Sequence, residues 1–225
     1  MSRCILIYGQ PGAGKTFSLR TLDPASTVII DGDIKKRLPW KGWKKQYSAE
    51  NKNFYSFSSL STILSTIQRI GTNEANAYIK NIVVDGFNNA MIAELFLRDN
   101  AESKNAFEKY QKLAEKVYQI INAAQNLRDD LNVIFMAHVE TADPYTPNDV
   151  DKVFTPGKML KDKVKLESKF LYVFYAKSDD GKEFYFETTP NKSTARAPFE
   201  CLDERIPNDL AAALKVIEVY EEGEE

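Results

Sequence analysis

One histidine and two cysteines are all that 225 residues offer for soft-metal ligation or thiol chemistry. Cys4 and Cys201 lie far apart in the chain, and no Cys or His pair has ligand spacing, which excludes a zinc framework and a disulfide scaffold. Reduced thiols in the cytoplasm are the natural reading. No apolar run approaches the roughly 18 residues that a membrane-crossing helix needs. The first apolar strand starts at Arg3, so no secretory leader is expected either. The sequence therefore predicts a soluble cytoplasmic protein with no membrane partner. Excess charge of either sign is also missing: the formal net charge is -2, so bulk charge points to no polyanionic partner. Internal repeats, low-complexity tracts and interdomain linkers are absent too. Residues 1–225 read as one α/β domain, ending in an acidic tail from about 218 to 225.

What is there begins at Gly9. Residues Gly9-Gln10-Pro11-Gly12-Ala13-Gly14-Lys15-Thr16 match G-x-x-x-x-G-K-[ST] at every fixed position. They follow the apolar stretch Cys4-Ile5-Leu6-Ile7-Tyr8 and precede a helical segment, Phe17 to Leu22. Such a loop holds phosphate because consecutive backbone N–H groups converge in one concavity at a helix N-terminus. The glycines supply the dihedrals and the close approach. Lys15 is then expected to reach the β- and γ-phosphates and Thr16 to hold Mg2+, with Phe17 closing the nucleotide contact. A nucleoside triphosphate, ATP with Mg2+, is the expected cofactor.

The remainder alternates strands with helices. Apolar runs ending in acids, Thr27-Val28-Ile29-Ile30-Asp31 and Asn81-Ile82-Val83-Val84-Asp85, read as buried parallel strands, as does Asn132 to His138. Asn53 to Phe57 alternates and reads as a further strand. Leu60 to Ile70 has helical spacing, and so does a long region after Gly86 that includes Phe107, Leu113, Val117, Ile121 and Leu127. From Val139 to Leu160 the periodicity stops, the mark of a functional or disordered loop. Phe170 to Ala176 and Glu183 to Thr188 predict a hairpin turned at Asp179-Asp180-Gly181, and Asp209 to Tyr220 a last helix. The expected fold is a mostly parallel sheet flanked by helices, with a late antiparallel hairpin.

In such sheets ligands bind beyond the carboxyl ends of the strands. That edge would collect the phosphate loop, Asp33, Asp85 and His138. Asp85 is expected to anchor Mg2+ with Thr16, because that ion prefers one or two carboxylates plus water and phosphate oxygens. Gly86 stands where many NTPases carry a catalytic Glu, so Asp33, in Asp31-Gly32-Asp33, becomes the candidate base for the attacking water. An Asp-Gly turn is the alternative for that carboxylate. His138, at a strand end, is a candidate γ-phosphate sensor, against the plainer reading of a structural imidazole.

Together these residues resemble a RecA-type ATPase core. More closely, the phosphate loop, Val83-Val84-Asp85-Gly86, Met136-Ala137-His138 and Thr155-Pro156-Gly157-Lys158-Met159-Leu160 resemble phage-encoded, Sak-type RecA-like ATPases of recombination and single-strand annealing. The resemblance implies an ATPase that acts on single-stranded DNA as a homo-oligomer, ring or filament, in the host cytoplasm, with a single-strand-binding protein as a candidate partner. It also implies basic fingers entering a neighbouring subunit's site, here Lys192 and Arg196. In the long loop and just after it, Tyr145, Lys152, Phe154, Lys158, Lys161 and Lys163 supply cations and aromatic faces suited to single strands. Trp40, Trp43 and six basic residues between Ile34 and Tyr47 do the same, and read equally well as a packed lid or a subunit interface. Two other functions share the phosphate loop. One is a non-hydrolysing, nucleotide-gated DNA-binding or loader subunit; the other is a small-molecule kinase, for which no Arg-rich lid is present.

Overall fold

The computed structural model describes residues 1–96 and 105–223. Its frame is a nine-stranded sheet with β1 (Arg3–Gly9), β2 (Thr27–Asp31), β3 (Phe54–Ser56), β4 (Asn81–Asp85), β5 (Asn132–Glu140), β6 (Lys152–Val153), β7 (Tyr172–Asp179), β8 (Glu183–Glu187) and β9 (Arg205–Pro207). The spatial order is β3-β2-β4-β5-β1-β7-β8-β9, and β6 pairs with β5. From β3 across to β7 every pairing is parallel. β7-β8 and β8-β9 are antiparallel. The hairpin turns where the Asp-Gly signal places it: Asp180 and Gly181 take φ of 52° and 70°, and Lys182 N–H closes on the Asp179 carbonyl at 3.0 Å. Two left-handed residues match the twist of the flanking strands.

β1, β2 and β4 are buried along nearly their whole length, as strands covered on both faces must be. One face carries α2 (Leu60–Thr72), α3 (Phe87–Phe96) and α4 (Ala106–Gln125); the other carries a 3-10 turn (Thr16–Thr21) and the last helix, α5 (Leu210–Glu222). The helix α2 buries Leu60, Ile63, Ile67 and Ile70 and starts where the Ser59 hydroxyl accepts from Thr62 N–H. Asn105 caps α4 and Asp209 caps α5 in the same way. A short α1 (Trp43–Gln46) packs Trp43 against Phe54.

Four expectations need adjusting. The segment after the phosphate loop is a single 3-10 turn, because Leu22 is already extended ahead of Asp23-Pro24. Of the long helical region, Phe87–Phe96 and Ala106–Gln125 are helix, and its middle, 97–104, lies outside the described residues. The aperiodic stretch from Val139 begins as a continuation of β5, where Val139 and Glu140 pair with Val153 and Lys152. Most of the acidic end is helix rather than tail: α5 runs to Glu222, with Arg3 Nε 2.6 Å from Glu221 and Tyr172 donating to the same carboxylate at 2.9 Å. Residues 224–225 lie outside the described range.

Candidate nucleotide-binding site

β1 delivers Gly9 to the carboxyl edge of the sheet, level with His138 of β5 and Ala176 of β7. A Cβ on Gly9 would come within 2.4 Å of the Ala176 carbonyl oxygen, so the chain leaves the strand at a residue without a side chain. Gly14 has φ +85° and lies against the Phe184 ring, 2.7 Å from where its Cβ would be. Ala13 N–H folds back to the Gln10 carbonyl (3.1 Å) and Ser18 N–H to that of Gly14 (3.0 Å). Among the described residues no backbone carbonyl takes the amides of Gly12, Gly14 or Lys15, which leaves them for anionic oxygen.

Lys15 is buried and donates to the carbonyls of Gly9 (2.8 Å) and Gln10 (2.9 Å). Burial lowers its pKa to about 8, against the pull of Asp85. Phe17 tilts against Phe184 with ring centres 5.7 Å apart and carries the Arg20 guanidinium at 3.9 Å. Arg20 in turn holds Asn208, whose amide donates to the Gly14 carbonyl at 3.1 Å. The loop is thus braced from behind by β8, β9 and the start of α5.

Asp85 ends β4 beneath this loop, and Thr16 Oγ1 donates to its Oδ2 at 2.8 Å. Burial pushes the Asp85 carboxyl up to about 6 although Thr16 opposes it. Two hard oxygen donors side by side fit Mg2+, whose remaining ligands are water and phosphate. Asp33 sits beside them because Gly32 N–H donates to the Asp85 carbonyl at 2.7 Å, tying the ends of β2 and β4 together. Gly86 has φ +77°, and a Cβ there would lie 2.1 Å from Asp33 Oδ1. Asp33 therefore occupies the space that a side chain at position 86 would enter. Asn89 donates to Asp33 Oδ1, and Lys35 is ion-paired to Oδ2. On the other side, Asn88 Oδ1 accepts from the His138 amide at 3.0 Å. His138 Nδ1 is buried and has no hydrogen-bond partner among the described residues. Burial and then the Lys15 charge lower its pKa, so the imidazole is neutral at pH 7. Lys15, Thr16, Asp33, Asp85 and His138 line one cavity of about 790 Å3.

A phosphate loop after a central strand, an aspartate at the end of a parallel strand beside the loop's threonine, and a mostly parallel sheet with helices on both faces define a P-loop NTPase. The family is more specific. A model described as AAA domain matches residues 1–196, and the chain belongs to that family of AAA-type P-loop ATPases. No curated protein sequence matches it.

The other anticipated residues fall into three groups. Tyr145 is 92% exposed, and Lys158 and Lys163 also face solvent. Lys152 is ion-paired with Asp149 (2.5 Å) and Lys161 with Glu140 (2.7 Å), while Phe154 is half-buried. Lys192 is exposed, but Arg196 is not free to act as a finger. Its Nε and Nη2 donate to the Phe170 carbonyl at 3.1 and 2.9 Å, and Nη2 also to that of Glu167. Carbonyls at the end of the 3-10 turn Leu166–Lys169 need donors, and this guanidinium meets the need. Trp40 and Trp43 pack edge-on or tilted against Tyr47 and Phe54. Sequence reading missed Asn88, Asn89, Phe184 and Asn208. Only the Asn pair had a signal, its place directly after a strand-ending Asp-Gly.

Proposed function

We propose that this chain hydrolyses ATP and couples the reaction to single-stranded DNA, as an oligomeric recombination or annealing ATPase of the Sak-type RecA-like kind. The chemistry follows from the residues. Amides of the loop and the Lys15 ammonium bind the phosphates. Thr16 and Asp85 would hold Mg2+, which supplies charge neutralisation at the phosphates when bound. Asp33 orients the attacking water and accepts its proton, and neutral His138 meets the terminal phosphate. A single hydrogen bond carries the coupling. The backbone carbonyl of His138 accepts from Phe154 N–H at 2.8 Å, so the group beside the terminal phosphate is bonded directly to the long loop. Tyr145, Lys158 and Lys163 supply there and just beyond it an exposed aromatic face and exposed cations.

The test is ATP turnover against single-stranded DNA at low and moderate salt. Turnover is expected to rise with DNA, and the rise to fade as salt increases. Replacing Lys158 and Lys163 together by alanine should remove the stimulation and keep the basal rate; a rate indifferent to DNA at every salt concentration contradicts the coupling. The second reading, a nucleotide-gated subunit that does not turn over, draws on Asp33 being held by both Lys35 and Asn89. Tight ATP binding with no phosphate release identifies it.

A further inference from the structure

Lys35 has no part in the scheme above, yet it stands in the same cavity. With Arg37, Leu38 and Pro39 it lines the wall facing Lys15, Asp85 and His138. Its ammonium binds Asp33 Oδ2, and the Asp33 side chain is only 5% exposed while that of Lys35 is 59% exposed. This differs from a surface ion pair, which contributes little: the acid is embedded and the base reaches in from solvent. Both oxygens of the candidate base are then occupied, one by Lys35 and one by Asn89.

The backbone around Lys35 is held in place while most of its side chain is open to solvent. Ile34 and Lys36, on either side of it, take φ of 57° and 55°. Such values are strained for a residue that carries a side chain. The conformation is held from below by Asp31, whose carboxylate accepts from Lys36 N–H at 2.7 Å and from the Ser56 hydroxyl at 3.0 Å. Asp31 therefore anchors the turn that aims Lys35, and takes no part at the phosphates itself.

We propose that Lys35 is a second, intrachain phosphate ligand that tells a triphosphate from a diphosphate by exchanging the Asp33 carboxylate for the terminal phosphate. The proposal rests on the nucleotide reading of the site. A terminal phosphate offers more charge and more acceptor oxygens than one carboxylate. A Lys35 that moves to it also leaves Asp33 Oδ2 open for water. The exchange makes the base available only when there is something to hydrolyse. It also assigns within one subunit part of the cationic role that Arg196 cannot fill.

Calorimetric titration of wild type, Lys35→Ala, Lys35→Arg and Lys36→Ala with a non-hydrolysable ATP analogue and with ADP, each with Mg2+, decides the matter. Lys35→Ala should lose about tenfold or more in affinity for the triphosphate and less than about twofold for ADP. Lys35→Arg should restore most of the preference. Lys36→Ala, whose side chain is outside the cavity lining, should match wild type. Equal losses for both nucleotides, or none, overturn the proposal while leaving the nucleotide site intact. A wild-type protein that binds neither nucleotide overturns the nucleotide reading first, and this inference with it.

Discussion

Lys15 and Asp85 are each held in the form that burial disfavours. The ammonium is lowered to about 8 and the carboxyl raised to about 6, with burial the first cause in both. At neutral pH the fold therefore bears a charged Asp85 that it would rather have protonated, a cost accepted because phosphate and a cation are met there. The sign of the linkage is definite. The native state keeps the Asp85 proton between the ordinary carboxylate range and about 6, where the unfolded chain has lost it. Stability therefore falls as pH rises through that window. Asp85→Asn, melted in chelator at pH 7.5, should be more stable than wild type by on the order of 2 kcal/mol, and the gap should close toward pH 5. The same variant should lose nearly all hydrolysis. A variant less stable than wild type at pH 7.5 would show that Thr16 outweighs burial. Lys15→Ala should abolish binding of ATP and ADP alike in equilibrium titration, since both use the β-phosphate.

At the scale of elements, the junction between β4 and α3 is the piece on which the site turns. Asp85 closes the strand, Gly86 turns with φ +77°, and Asn88 and Asn89 follow within the first helical turn. Four of the five positions 85–89 thereby reach Thr16, Asp33 or the strand of His138. Gly86→Ala adds a methyl where Asp33 Oδ1 lies and forces a left-handed alanine. We expect a stability loss of about 1–3 kcal/mol and a much larger proportional loss of turnover than of ATP affinity. Chemical denaturation beside single-turnover kinetics measures both. The C-terminal helix has its own structural duty through Glu221, which meets Arg3 of β1 and Tyr172 of β7.

Across the whole molecule, the root of the long loop is wired to the strand that carries the phosphate loop. Asp151 accepts from Ala142 N–H (2.8 Å) and the Tyr175 hydroxyl (2.8 Å) through its carboxylate, and from Thr194 N–H (2.9 Å) through its carbonyl. Tyr8, directly before Gly9, stacks on Tyr175 at 4.8 Å and donates to the Asp151 carbonyl at 3.3 Å. Loop, late strands and phosphate-loop strand share one partly buried polar cluster, where an unpaired group is costly. Asp151→Ala should speed proteolytic cleavage within residues 141–151 and weaken the response of that loop to ATP, while nucleotide affinity changes by less than about threefold. Cleavage at the wild-type rate would remove this connection. Among the described residues no helix is long and apolar enough to cross a membrane.

The phosphate loop, the strand-ending acids, the Asp-Gly hairpin and the alternation of strand and helix were all legible in the chain, because each depends on neighbours in sequence. A glycine pattern is a demand of the local backbone, and a period of two or 3.6 is a property of one element. The place of Asp33 was half legible: the gap at Gly86 called for a carboxylate from elsewhere. That Asp33 fills the space a side chain at 86 would begin to occupy is a fact about two strands brought side by side. The fate of Arg196, spent on carbonyls 26 and 29 residues away in sequence, could not be read locally. Nor could the burial of Asp33 beneath Lys35, or the acids of α5 that neutralise Arg3. Partners of charged side chains are chosen by distance in space and by burial, and both exist only once the sheet has assembled.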